Sequence, residues 1–464
     1  MVRLFTKTRA AGRHTHFYNL RDALHAEGCP VCRLSLDAVA HFLDSLVYEQ
    51  VNDPGLRDQL RAARGFCPHH AWQLVHQPSS GLGVALIYRD VLSEVARILE
   101  DGPSGGLFAG YRRKPALGWR LLPQAWCPTC ANLADAEGRY LSTLIDHLPE
   151  PDFAEAYLAH GGLCLPHIER VLSYRPVPAT SKVLLLAAIR SLRAALDSSA
   201  GVGVDGRPTL TQLMVGLPGG LTRREPLILP AGVEGGAIAT AEEIIAALEG
   251  EVCPACVLAR ETDGRLLGQL PEDDAELHPW LCNLHAWQSL GLENGSAVDA
   301  LLTLRARDVL GQLPERIPAI PGGEGRPDDG AGAPGDLVAE LHSCLVESKR
   351  TDVEIRWATS LAEVIQVPAV QAAFRRSPGL CLPHLIQALR CTDPTGSKIL
   401  ARLEAERIAA LVGELDEYIR KHDYRFREEP WGQEVTSPRR AVELMVGVEG
   451  LRGVGGLWWP DLRR

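Results

Sequence analysis

The sequence predicts an all-α protein of four helical modules, arranged as a duplicated two-module unit. Three observations predict it. Apolar residues recur at helical spacing, and no stretch of any length alternates with strand period. Cys-Pro-x-Cys and Cys-x-x-His signals alternate down the chain. Short motifs of the first half return in order in the second, as expected of a repeated supersecondary unit.

The signals set the frame. Cys29-Pro30-Val31-Cys32 is followed by Cys67-Pro68-His69-His70, and Cys127-Pro128-Thr129-Cys130 by Cys164-Leu165-Pro166-His167. Cys253-Pro254-Ala255-Cys256 is followed by Cys282-Asn283-Leu284-His285. The fourth copy is altered: Cys344-Leu345-Val346-Glu347, then Cys381-Leu382-Pro383-His384. Of the 12 cysteines only Cys391 stands outside this scheme. Three thiolates and an imidazole make a closed tetrahedral zinc set. Residues i and i+3 share a face of a first helical turn, and proline after the first cysteine favours a helix start there. Each pair is thus expected at a helix N-terminus, whose positive end favours thiolate. The expected grouping is by neighbour, so that each zinc joins the first helix of a module to its third.

The elements follow in order. Leu36, Val39, Leu43, Leu46 and Val47 mark a helix over 33–48. Asp53-Pro54 is an N-cap and helix start, and Gly65 ends that short helix. Cys67 opens the next, carrying Trp72 and Leu74, and another runs from about Leu82 to Glu100. Module boundaries are expected at 1–110, 111–222, 223–313 and 336–464. The Pro/Gly/Asp-rich stretch 314–335 reads as a flexible linker. His70-Ala71-Trp72-Gln73 returns as His285-Ala286-Trp287-Gln288, and Leu213-Met214-Val215-Gly216 as Leu444-Met445-Val446-Gly447. Extra residues in the second half fall around His422 to Trp431.

Composition narrows the function classes. Net charge is −10, with +2 on the first 222 residues and −12 on the rest, so neither half is a basic nucleic-acid footprint. No apolar run approaches the roughly 18 residues of a membrane span, and no signal-peptide hydrophobic region opens the chain. A cytoplasmic protein is expected, where paired cysteines point to metal or redox chemistry rather than disulfides. No nucleophile elbow, phosphate loop or His-Glu-x-x-His pattern supplies catalytic residues.

Cys29-Pro30-Val31-Cys32, Phe66-Cys67-Pro68-His69-His70-Ala71-Trp72 and His422-Asp423-Tyr424-Arg425-Phe426-Arg427 resemble an uncharacterised bacterial family of cysteine-rich helical proteins. The resemblance implies the modular architecture and carries no activity.

The expected ligands are therefore Cys29, Cys32, Cys67 and His70; Cys127, Cys130, Cys164 and His167; Cys253, Cys256, Cys282 and His285; and Cys344, Glu347, Cys381 and His384, with His342 as a runner-up. Zinc is expected at three to four per chain, with an iron–sulfur cluster as the alternative. Trp72 and Trp287 are expected to pack in the core beside their metal knuckles. The expected function is a zinc-binding helical scaffold or regulatory protein that binds a protein or small-molecule partner. The alternatives are a zinc–thiolate redox or metal sensor, and an enzyme at the fourth site with Glu347 as swinging ligand or base.

Overall fold

The computed structural model describes residues 14–101, 116–174, 177–197, 209–218, 239–269, 281–290, 306, 309–311, 344–426 and 428–451. The protein is all-α, with no β-strand among the described residues. The module boundaries and the 314–335 linker expected from sequence lie outside these residues, as do His342 and the basic run Arg112-Arg113-Lys114.

In chain order the helices are α1 (Thr15–Ala23), α2 (Pro30–Ser45), α3 (Pro54–Ala63), α4 (Pro68–Val75), α5 (Gly81–Glu100), α6 (Leu117–Leu121) and α7 (Pro128–His147). Next come α8 (Pro151–His160), α9 (Leu165–Tyr174), α10 (Ala179–Asp197), α11 (Leu210–Val215), α12 (Ala241–Leu248), α13 (Pro254–Gly268) and α14 (Asn283–Ser289). The last are α15 (Leu345–Val364), α16 (Pro368–Arg376), α17 (Leu382–Cys391), α18 (Pro394–Lys421) and α19 (Ser437–Val446).

Local chemistry accounts for the boundaries. Asp53 caps α3 by accepting the Leu56 N–H at 2.7 Å, and the helix ends where Arg64 and Gly65 take positive φ. Asp393 caps α18 in the same way through the Gly396 N–H at 2.6 Å, with Pro394 in the first turn.

The chain forms two compact units, each drawn from three separated segments. One takes residues 1–39, 133–223 and 270–344; the other takes 40–132, 224–269 and 345–464. The second unit is built on α5 against the 28-residue α18. Helix α5 buries Val84, Ile87, Tyr88, Val91, Leu92 and Val95, a stripe at helical spacing. Leu92 is fully buried, so Leu92→Ala should cost about 2–5 kcal/mol. In the first unit α11 packs on α9 and on α14, and α8 on α10.

Candidate metal centres

Every predicted ligand pair does sit at a helix start. Cys29, Cys67, Cys127, Cys164, Cys253, Cys282, Cys344 and Cys381 each directly precede the first residue of a helix. Cys67, Cys253, Cys282 and Cys381 are the N-cap residues themselves. All of these cysteines are buried.

The grouping differs from the one expected. The structure brings together Cys29, Cys32, Cys164 and His167 as site I, and Cys67, His70, Cys127 and Cys130 as site II. Cys253, Cys256, Cys381 and His384 form site III, and Cys282, His285 and Cys344 form site IV. Each Cys-x-x-Cys therefore meets the Cys-x-x-His of the neighbouring module and not its own. Spacing could not have told the two arrangements apart, because both pair types are equivalent at every helix start. Each metal would join elements far apart in sequence, not the first and third helices of one module.

Distances suit a tetrahedral ion. In site I the His167 Nδ1 lies 3.3, 3.4 and 3.2 Å from the sulfurs of Cys29, Cys32 and Cys164, and Cys32 Sγ is 3.7 Å from Cys164 Sγ. In site II the His70 Nδ1 lies 3.2, 3.7 and 3.2 Å from Cys67, Cys127 and Cys130. In site III the His384 Nδ1 lies 3.4, 3.5 and 3.0 Å from Cys253, Cys256 and Cys381. Metal–sulfur bonds of about 2.3 Å and metal–nitrogen bonds of about 2.0–2.1 Å place tetrahedral ligands about 3.5–3.8 Å apart, so these groups fit zinc with little adjustment.

The electrostatics are those of groups that want a cation. Burial alone lowers the His70 pKa, but the Cys67 and Cys127 sulfurs outweigh it and hold the imidazole at about 10. His167 is held at about 10 by Cys32 and Cys29 against the same burial. Burial raises Cys29, yet hydrogen bonds from Cys164, Cys32 and His167 bring it well below its ordinary value. A buried thiolate–imidazolium cluster is what three thiols and a histidine become without a metal; the ion would replace the shared protons.

Sites I and III carry a second feature that the sequence showed only as a matched register. Glu137 and Glu354 both lie seven places after the second position of a Cys-x-x-Cys-type pair. Glu137 Oε1 is 3.4 Å from His167 Nε2, and Glu354 Oε1 is 3.3 Å from His384 Nε2. A carboxylate on the far imidazole nitrogen fixes the ring and leaves Nδ1 for the metal. Arg170 pairs with Glu137. Arg350, fully buried, reaches Glu354 at 3.5 Å and Asp263 at 2.9 Å.

Glu347 is not among the grouped ligands. Its carboxylate is buried and 3.9 Å from Arg350 Nη2. Arg350 and Asp263 occupy the registers held by Leu133 and Val39 in the first half. The glutamate thus came with a buried cation nearby, which gives it a partner other than a metal. In site IV the His285 Nδ1 lies 3.3 Å from Cys282 and 3.1 Å from Cys344.

The Leu-Met-Val-Gly motif is also part of the framework. Gly447, at φ 84°, would place a Cβ 3.0 Å from Cys256 Sγ, so its backbone lies against site III. Its carbonyl accepts the Trp72 Nε1–H at 3.2 Å, two residues after the site II histidine. In the other unit the Gly216 carbonyl accepts the Trp287 Nε1–H at 3.2 Å, two residues after the site IV histidine. Trp72 is buried and Trp287 half-buried, the packing role expected of them. His14 and His16 belong to none of the four groups, and Cys391 is exposed.

A family model described as "Family of unknown function (DUF6062)" matches residues 16–182. An "Uncharacterized 23.9 kDa protein in xynA 3'region" from Caldicellulosiruptor sp. (strain Rt8B.4) is 28% identical over 163 residues, 35% of this chain and 74% of that protein. No solved structure matches. Sites I and II lie wholly inside the stretch that the family model matches. Over residues 16–182, then, the chain matches an uncharacterised family, the relation to which its Cys-Pro-x-Cys and Phe-Cys-x-x-His motifs pointed.

Proposed function

We propose that this is a zinc-stapled helical scaffold of the cytoplasm, built by duplication, which presents its surfaces to a protein or small-molecule partner. The observation that carries it is the crosswise grouping of the Cys/His sets. A metal that joins helix starts about 60 residues apart (sites II and IV) or more than a hundred (sites I and III) acts on the fold itself, and structural zinc contributes about 10–16 kcal/mol of apparent binding energy in small finger peptides. Complete sites with four protein ligands and buried sulfurs leave no open position for chemistry. The same burial weighs against the redox-sensor reading, since oxidation follows thiolate exposure. A metal-dependent reaction at site IV is the second reading, because three protein ligands there, among the described residues, resemble the three-ligand pattern of catalytic zinc.

Limited proteolysis before and after a strong chelator tests the scaffold reading, with zinc counted by elemental analysis. Helices should become protease-sensitive as the sites empty. Loss of all metal with an unchanged digestion pattern would overturn the structural role. Under peroxide, retention of zinc at concentrations that fully oxidise Cys391 would count against the sensor.

A further inference from the structure

The two halves share a register at the turn that precedes the second ligand helix of sites I and III. Ala159, His160 and Gly162 stand five, four and two places before Cys164; Arg376, Ser377 and Gly379 stand at the same places before Cys381. In the first half His160 is buried and donates from Nε2 to the Ala26 carbonyl at 3.1 Å. Ala26 is three places before Cys29, so this bond closes one ligand turn of site I onto the other. In the second half the matching residues are Ser377 and Gly250. The Ser377 hydroxyl is turned back on its own loop, donating to the Phe374 carbonyl at 2.8 Å and accepting the Gly379 N–H at 3.0 Å.

A cavity of about 440 Å³ opens where the plug is missing, with Gly250, Ser377 and the site III ligands Cys253 and Cys381 in its wall. Its size is that of a small-molecule pocket, which typically begins at about 300 Å³. The wall has also gained polar groups. Glu404 and Arg407 stand where α10 has Ala188 and Ser191. Glu404 is fully buried, accepting the Leu380 N–H at 2.6 Å and the Arg407 Nε–H at 3.0 Å. Gly379, at φ 75°, makes room for this pair, since a Cβ there would collide with Arg407.

The charges select the ligand. Glu404 is held by Arg407, Glu414 by Arg440, and Glu443 by Arg439. Arg376 and Glu251, both exposed in the cavity wall, make no ion pair among the described residues. They offer a free guanidinium to a carboxylate and a free carboxylate to an ammonium. We propose that this cavity binds a small metal ligand of amino-acid type, Arg376 holding its carboxylate, and that through it such a ligand exchanges metal with site III while site I stays sealed. The inference rests on the reading that site III holds metal. Exchange is a ligand substitution without electron transfer. An incoming nitrogen would bond to the metal as one metal–sulfur bond to Cys253 or Cys381 broke, and the freed thiolate would take its proton from the buffered solvent.

The test uses the full-length zinc-loaded protein with a chromophoric chelator as sink, timed alkylation, and mass spectrometry of each cysteine. The probes are L-histidine, imidazolepropionate, which lacks the ammonium, and imidazole, which lacks both charges. L-histidine should speed labelling of Cys253, Cys256 and Cys381 by about tenfold over imidazole, the scale of a charge-assisted hydrogen bond, with imidazolepropionate between them. Arg376→Ala, at an exposed position, should erase the advantage of both carboxylates. Ser377→His should slow site III, and His160→Ser should open site I so that Cys29, Cys32 and Cys164 label faster. Labelling of Cys253 before any addition would overturn the metal reading and this proposal with it. Protected site III thiols that react no faster than those of site I, or a Ser377→His rate equal to wild type, would overturn the cavity proposal alone.

Discussion

At the scale of single residues, the carboxylates behind the histidines have a measurable role. Glu354→Gln removes the negative charge 3.3 Å from His384 Nε2 and should weaken metal at site III by about 10–100-fold, the usual cost of losing such a partner. Competition with a chelator of known affinity checks it, and Glu137→Gln should do the same at site I. The metal-free protein should also carry a pH signature from site II. The His70 pKa is raised from 6.5 to about 10, so its contribution is whole below 6.5 and is lost as pH rises through about 10. Cys127 is lowered from 9.0, with burial opposed and outweighed by Cys130, Cys67 and His70, so its contribution is present above pH 9 and is lost as pH falls through its folded value. The two together leave a plateau between 6.5 and 9, falling on both sides. Thermal melts of chelated protein across pH should show that plateau, and a monotonic rise through pH 10 would contradict it.

At the scale of the element, every helix start is also a ligand turn, and the decisive question is which turns meet. Cys67→Ser separates the two arrangements. With the crosswise grouping it should expose Cys127 and Cys130 to alkylation and leave Cys29 and Cys32 protected. Grouping within the module would free Cys29 and Cys32 instead. The Leu-Met-Val-Gly turn makes a second prediction. Gly447→Ala adds a methyl 3.0 Å from Cys256 Sγ at φ 84°, and strain of this kind costs about 1–3 kcal/mol. Chemical denaturation should show that loss together with earlier release of site III zinc.

At the scale of the whole molecule, the four Cys/His groups found among the described residues lie two in each compact unit. Sites I and IV belong to the unit containing residues 133–223, and sites II and III to the one containing 345–464. Protein purified without added metal should carry three to four zinc ions per chain and be colourless. Visible absorption after anaerobic purification would instead indicate an iron–sulfur cluster. Among the described residues no helix is long and apolar enough to cross a membrane.

The helical class and the position of each Cys-x-x-Cys-type and Cys-x-x-His pair at a helix start were legible in the sequence, and fifteen of the sixteen residues expected as ligands fall in Cys/His groups that could hold a metal ion. These are local matters: a Cys-Pro step, an i,i+3 spacing and an apolar stripe act within one or two turns. The sequence could not decide which pair answers which, because two Cys-x-x-Cys and two Cys-x-x-His turns combine equally well either way. Only packing of the helices chose the crosswise arrangement. The same holds for Glu347, whose register made it a ligand by analogy. The tertiary structure instead sets it in a buried cluster with Arg350, which the packing of α13 on α15 brings within 2.9 Å of Asp263, 87 residues away in sequence. His160, too, is an ordinary helix-end residue in the sequence; its reach to Ala26 exists only because two distant turns share one site.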